Sequence, residues 1–376
     1  MKQVLDASLL QQFDQDCVPR HGLPGAAYVS ERFHELEQDH LFSSVWVFAG
    51  FAHQVPDAGD VLPISVAGQP LFILRNEAKQ VTAFHNVCRH RNLQLVDQPS
   101  NCGRLLRCPY HSWSYDLNGA LKNAPFFGGN EKQRVDGFKL DENGLMPVKC
   151  AVWHDWVFVN LDPHLEETFE DFVRPIKKVL NDTDLGQYRP VATLEWAEVQ
   201  TNWKLLMENF IEPYHVQFVH KTTTSQPLKD HYPVIEGKCL GSAVDLSDEQ
   251  VAKAGKGKLG VSSRYLTLFP NFVLGTYAPD QIGVHLNNPI DSGTTSQMRV
   301  IYLHQDTRYS ESEIQDLKEL WYQVHREDHA MCERLQTGRH SQLSAQGGVL
   351  SPYWETSVRK FQELVADAIR PGLARK

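Results

Sequence analysis

Cys88-Arg89-His90 and Cys108-Pro109-Tyr110-His111 are two Cys/His pairs separated by residues 91–107. Each pair follows a short β-branched run, so two loops can meet at one point. Two thiolates and two imidazoles suit either zinc in a Cys2His2 site or a two-iron cluster of mixed ligation. Zinc fingers usually group like with like, Cys with Cys and His with His. Here each loop carries one of each, so one iron can take both thiolates and the other both imidazoles. Cys102, between the loops, reads as a spectator.

Outward from these loops, Val45 to Leu161 is a succession of short strand-like runs such as VLPISV, PLFILR, QVTAFHNV and VWHDWVFVNL. Gly59, Gly68, Asn118-Gly119 and Asn143-Gly144 punctuate them, and Asn-Gly is a strong hairpin signal. The pattern predicts a small all-β domain over residues 43–161. Before it, Tyr28 to Phe42 reads as one amphipathic helix capped by Ser30. After it, 162–220 reads as mostly helical, 261–304 as strands (RYLTLF, NFVLGTY, QIGVHLN, QMRVIYLH), and two long helices close the chain. Residues 1–42 and 162–376 are therefore expected to form a second, α+β domain with an antiparallel sheet backed by helices. VAKAGKGKLG (251–260) lacks the spacing of a phosphate-binding loop and reads as a surface loop.

The 376 residues carry 37 basic and 46 acidic side chains, a formal charge of −9, which argues against nucleic acid or an anionic membrane as the main partner. No apolar run is long enough to span a membrane, and the first residues, MKQVLDASLLQQFDQD, lack the apolar core of a signal peptide. Seven cysteines, an odd number spread over a long chain, do not form an evident disulfide framework. A cytoplasmic location is expected.

A second metal site is suggested by NWKLLMENFIEPYHVQFVH (202–220). Glu212 and His215 stand at i, i+3 and would share a helix face. His215 and His220 would not, unless Pro213 kinks the helix between them. The third member comes from the helix after Ser310, whose Ser310-x-x-Glu313 is a capping box and for which Gly338 is the expected stop. Ile314, Leu317, Trp321, Val324, Met331 and Leu335 step along one face, and Asp328 falls on it. A lone carboxylate there needs a cation or donors. With His215 and His220 it makes two histidines and a carboxylate, a set that leaves positions open on ferrous iron. His325 and His329 lie off the stripe and read as solvated or supporting; His231, His285 and His304 read as structural.

CRHRN (88–92) and CPYHSWSYDLNG (108–119) resemble the two cluster-binding loops of the Rieske oxygenases, with Asn92 and Ser112 standing where that family often has glycine. The 212–220 segment and EDHAMCERLQTG (327–338) resemble the iron-binding parts of its catalytic domain. The resemblance implies a Rieske [2Fe–2S] domain plus a helix-grip catalytic domain, with Cys88 and Cys108 on one iron and His90 and His111 on the other. It further implies Fe(II) at His215, His220 and Asp328, O2 as co-substrate, and a homotrimer in which Glu212 bridges one subunit's cluster to the next subunit's iron. Glu212 stands where many relatives have aspartate, a feature shared with oxidisers of quaternary ammonium compounds such as carnitine. Nothing in the chain resembles a flavin or nicotinamide site, so a separate NAD(P)H-dependent reductase is required. The implied activity is a monooxygenase that hydroxylates or demethylates a small substrate; an aromatic-ring dihydroxylating dioxygenase is the runner-up, and an electron-transfer or sensor protein the third. Trp203, Phe210, Phe218, Tyr265, Phe269 and Tyr277 are the expected pocket aromatics, fitting an ammonium cage or an aromatic slot. The scarcity of Lys and Arg around them argues against a polycarboxylate.

Overall fold

The computed structural model describes residues 5–129, 135–181, 183–223, 227–245, 262–277 and 280–373. The loop 251–260 lies outside the described residues. The chain divides into two compact units, Phe42–Glu166 and Met1–Leu41 together with Glu167–Lys376.

The Phe42–Glu166 unit is all β. Strands β1 (Val47–Phe51), β2 (Asp60–Val66), β3 (Gln69–Arg75), β4 (Val81–His85), β5 (Ser100–Asn101), β9 (Pro147–Trp153) and β10 (Trp156–Asn160) form an antiparallel sheet of order β1-β10-β9-β4-β3-β2-β5. A smaller sheet joins β6 (Leu105–Arg107), β7 (Ser114–Asp116) and β8 (Leu121–Asn123). The first Cys/His loop leaves β4 and the second is the β6–β7 hairpin.

The larger unit is built on one antiparallel sheet, order β11-β17-β16-β15-β14-β13-β12. Its strands are β11 (Tyr188–Val199), β12 (His231–Glu236), β13 (Cys239–Asp245), β14 (Ser262–Leu268), β15 (Phe272–Tyr277), β16 (Gln281–Pro289) and β17 (Thr295–His304). The expected strands after 261 are present. The expectation that 162–220 is mostly helical is wrong for β11, a twelve-residue strand. Pro190, Ala192, Glu195 and Glu198 dilute its apolar alternation, and it is an edge strand that pairs only with β17, where such residues are tolerated.

The helix expected over Tyr28–Phe42 is broken into Ala26–Val29, Glu31–Glu37 and a π-turn over Gln38–Phe42. Ser30 makes the break: its backbone is extended and its hydroxyl accepts the Phe33 N–H. Helices Trp203–Ile211, Glu311–Arg339 and Thr356–Leu373 pack in the same unit as the sheet. The capping box at Ser310 forms reciprocally, Glu313 N–H to the Ser310 hydroxyl at 3.3 Å and Ser310 N–H to the Glu313 carboxylate at 2.7 Å. That helix runs past Gly338 to Arg339. No helix among the described residues is long and apolar enough to cross a membrane.

Trp203 belongs to the core and not to the lining of the cavity beside Asp328. It is fully buried, donating its indole N–H to Glu37 at 3.1 Å, while Lys204 Nζ lies 2.6 Å from the other oxygen of that carboxylate. The Lys204 ammonium sits 5.2–5.4 Å from the ring centres of Tyr28, Phe33 and Trp203, so this aromatic cage encloses the chain's own cation. Phe269 is likewise core, packed on Phe361, and Phe218 is exposed.

Candidate active site and metal centres

The two Cys/His loops have the same backbone design. Cys88 N–H donates to Leu93 O at 2.8 Å and Asn92 N–H to Cys88 O at 2.9 Å; Cys108 N–H donates to Trp113 O at 2.8 Å and Ser112 N–H to Cys108 O at 3.0 Å. Closing each loop puts Asn92 and Ser112 at φ 58°. Asparagine tolerates this left-handed region and serine does so at a cost of about 1 kcal/mol. Ser112→Gly is therefore expected to keep the loop and Ser112→Val to weaken it, read as the survival of the cluster's visible absorption on heating; equal survival of both would show that the turn carries no strain.

Cys88 and Cys108 are buried in one apolar cluster with Trp113, Tyr115 and Leu117, whereas His111 is exposed and His90 half-buried. The two imidazoles meet edge to face with ring centres 4.6 Å apart, and His90 is stacked on Trp113. Thiols inside and imidazoles at the surface suit a cluster whose histidine-bound iron points outward.

In the other unit, helix Trp203–Ile211 stops before Glu212, whose backbone is extended (φ −112°, ψ 138°), as expected for a residue preceding proline. Pro213 thus ends the helix and does not merely kink it. Glu212 and His215 meet across a turn, with His215 Nδ1 2.6 Å from Glu212 Oε1 and the Tyr214 and His215 N–H groups donating to Oε2. A short second helix, Val216–Val219, delivers His220. His220 Nδ1 lies 2.7 Å from Glu327 Oε2. A carboxylate only accepts, so both histidines donate from Nδ1 and leave the Nε2 lone pair free.

Both Nε2 atoms face Asp328 Oδ1, His220 at 3.1 Å and His215 at 3.6 Å. Asp328 Oδ1 is buried and makes no hydrogen bond among the described residues, and ligand atoms of His215, His220 and Asp328 all lie within 4.8 Å of one another. Burial opposes charge on His220, yet the Asp328 and Glu327 carboxylates still raise its pKa to about 9. The three side chains thus form a cation-seeking site with each imidazole oriented by an outer carboxylate, the arrangement a divalent ion requires. The donors fit ferrous iron.

Asp328 is the sequence expectation that the structure brings into place, but the face it was read from differs. The buried residues of its helix are His325, His329, Cys332 and Gln336; Leu335 is exposed. His325 and His329 are therefore interior and not solvated: burial depresses the pKa of both, His329 Nε2 lies 2.8 Å from Gln297 Oε1, and His325 lines the cavity beside Asp328. Their interior position was concealed because their partners lie on a strand far away in sequence.

That cavity, about 350 Å³, has one face of the sheet as its floor. The pairs His231–Val244, Ser242–Tyr265, Tyr265–Gly275, Tyr277–Gln281 and His285–Arg299 place one such side chain from each of β12 to β17 on the same side. Phe210, Tyr265 and Tyr277 line it as expected. His231, His285 and Arg299 line it too, so the two histidines expected to be structural face the cavity. Burial pulls His231 down to about 4, keeping it neutral. His304, by contrast, lies outside the cavity lining.

A family model for the ring hydroxylating alpha subunit (catalytic domain) matches residues 169–370, and one for the Rieske [2Fe-2S] domain matches 45–135. Choline monooxygenase of Spinacia oleracea is 26% identical over 92% of this chain and 78% of its own length. The carnitine monooxygenase oxygenase subunit of Escherichia coli K12 is 25% identical over 93% of this chain and 94% of its own. Among solved structures, a quaternary ammonium Rieske monooxygenase, CntA, superposes with TM-score 0.79 at 22% identity over 93% of this chain and 96% of that one. Naphthalene 1,2-dioxygenase from a Rhodococcus species does so with TM-score 0.75 at 19% identity, covering 93% of this chain and 94% of that one. Cluster loops on one unit and a cation-seeking triad on the other are thus matched by two domain families that occur together, and the chain belongs to the ring-hydroxylating alpha subunits: it is a Rieske oxygenase, related to the choline and carnitine monooxygenases, with a Rieske [2Fe–2S] cluster and a mononuclear iron as cofactors and O2 as co-substrate.

Proposed function

We propose that this chain is a terminal oxygenase component that hydroxylates or oxidatively demethylates a small organic substrate, with a quaternary amine favoured over an aromatic hydrocarbon. The observation that carries the reading is the convergence of His215, His220 and Asp328 on one side of a cavity of about 350 Å³, large enough for such a molecule. The choline and carnitine monooxygenases among its relatives support the amine. Cys88, Cys108, His90 and His111 hold the cluster; His215, His220 and Asp328 hold the iron. When bound, the cluster supplies electrons singly and the ferrous ion a site for oxygen activation. The chain's own part is positional. Glu212 and Glu327 fix the imidazoles through Nδ1, and Phe210, Tyr265 and Tyr277 give the substrate an apolar wall. A separate NAD(P)H-dependent reductase supplies the electrons, a homotrimer brings Glu212 of one subunit to the cluster of another, and the reducing cytoplasm is the compartment.

The test couples the purified enzyme to a surrogate reductase and NADH and follows products by mass spectrometry. Formaldehyde or aldehyde release from methylated amines is expected; a cis-diol from an aromatic instead would overturn the amine reading. Glu212→Gln keeps an acceptor for His215 but removes the charge. It is expected to slow reoxidation of the reduced cluster, with substrate present, about 10- to 100-fold with both metals retained. An unchanged rate would remove Glu212 from the electron path.

A further inference from the structure

Arg299 is an anomaly in the cavity floor. It is 1% exposed, and its Nε and Nη2 make no hydrogen bond among the described residues. Nη1 donates to His285 Nε2 at 2.8 Å, which ties down one corner of the guanidinium. One face stacks on the Trp321 ring, 3.4 Å from its centre. Beside it lies Gly283, where a Cβ would come within 2.4 Å of Nη2, so the absence of a side chain there is what admits this pose. The Tyr277 phenol neighbours the guanidinium, whose central carbon lies 5.2 Å from its ring centre. Asp328 is close enough to be felt but makes no ion pair with it.

Nε and Nη2 form the side edge of the guanidinium, two parallel donors matched to a carboxylate. A buried cation lacking both bonds is costly, and at 1% exposure solvent does not supply them. The cavity that Arg299 lines is the space from which a partner can come. We propose that Arg299 is the anchor for a carboxylate on the substrate, so that the enzyme selects carboxylate-bearing molecules over neutral alcohols and over cations without an acid group. The proposal rests on the reading of this cavity as the oxygenase's substrate site. It makes Arg299 a specificity residue for a single carboxylate, in keeping with the scarcity of other basic residues around the pocket.

The test compares binding to the purified holoenzyme, by calorimetry, of two matched pairs: glycine betaine against choline, and benzoate against benzyl alcohol. The carboxylate member of at least one pair is expected to bind about 10-fold tighter or better, and Arg299→Gln is expected to remove that preference. Cluster absorption and far-UV circular dichroism check that the variant is folded. If Arg299→Gln does not fold, Arg299→Lys, which keeps charge but loses the fork, and Gly283→Ala, which crowds Nη2, should each reduce the preference. Equal binding within both pairs, no binding of either carboxylate, or a preference that survives these variants overturns the proposal. The two readings fail separately. Oxygen uptake stimulated equally by acid and non-acid probes leaves the oxygenase site standing without the anchor. An Arg299-dependent carboxylate preference with no oxygen uptake or product does the reverse.

Discussion

Asp328→Ala is expected to make no detectable product while the visible absorption of the iron–sulfur cluster stays as in the parent. Asp328 is the only carboxylate facing the Nε2 atoms of His215 and His220 among the described residues, and it has no other bond to keep it there. Removing it leaves two neutral imidazoles, a poor site for a hard divalent ion. Loss of an outer-shell partner alone typically costs 10- to 100-fold in affinity or activity, so loss of a ligand should exceed about 100-fold. The cluster loops lie in the Phe42–Glu166 unit, so their absorption controls for that unit and far-UV circular dichroism for the unit that carries Asp328. Measured iron content should fall by the share of the mononuclear site. Turnover above a hundredth of the parent rate would mean that another group supplies the third ligand.

The largest expected effect on stability is at Glu37. Its carboxylate takes Lys204 Nζ and the Trp203 indole in a site where both charged side chains are 0% exposed. Glu37→Ala leaves the Lys204 ammonium buried without its anion, a change that costs about 3–5 kcal/mol. Urea denaturation followed by tryptophan fluorescence should show this as an earlier transition. The aromatic rings of Tyr28, Phe33 and Trp203 soften the loss but offer no hydrogen-bond acceptor. Replacing both partners, Glu37→Leu with Lys204→Met, should recover most of it, since an apolar pair of similar volume fits the same space. A Glu37→Ala loss below about 1 kcal/mol would mean that Lys204 sheds its proton, the direction in which burial already moves it.

The two Cys/His loops were legible in the sequence because each pair is local: Cys88 and His90 lie within three residues after β4, and Cys108 and His111 within four residues of the β6–β7 hairpin. Asp328 was legible as a charge out of place, although the stripe that exposed it was only partly the buried one. His325 and His329 escaped because polar side chains on a helix read as outward until their distant partners, such as Gln297, are known. Trp203 and Phe269 looked like pocket aromatics for the converse reason, since an aromatic beside a site and one in the core have the same local pattern. Arg299 was hidden by strand register. Only the pairing with β16 reveals that Arg299, His285 and Gly283 share one face, and that this face is the floor of the cavity.

The catalytic unit is assembled from both sides of the β unit in the chain. Tyr28 and Glu37, made before Phe42–Glu166, find Glu208, Lys204 and Gln362 only after it. During synthesis at roughly 5–20 residues per second, tens of seconds pass between the emergence of Glu37 and that of the last helix. The cluster-bearing unit is meanwhile complete. The β unit can therefore fold before His215, His220 and Asp328, the residues of the iron site, have been made.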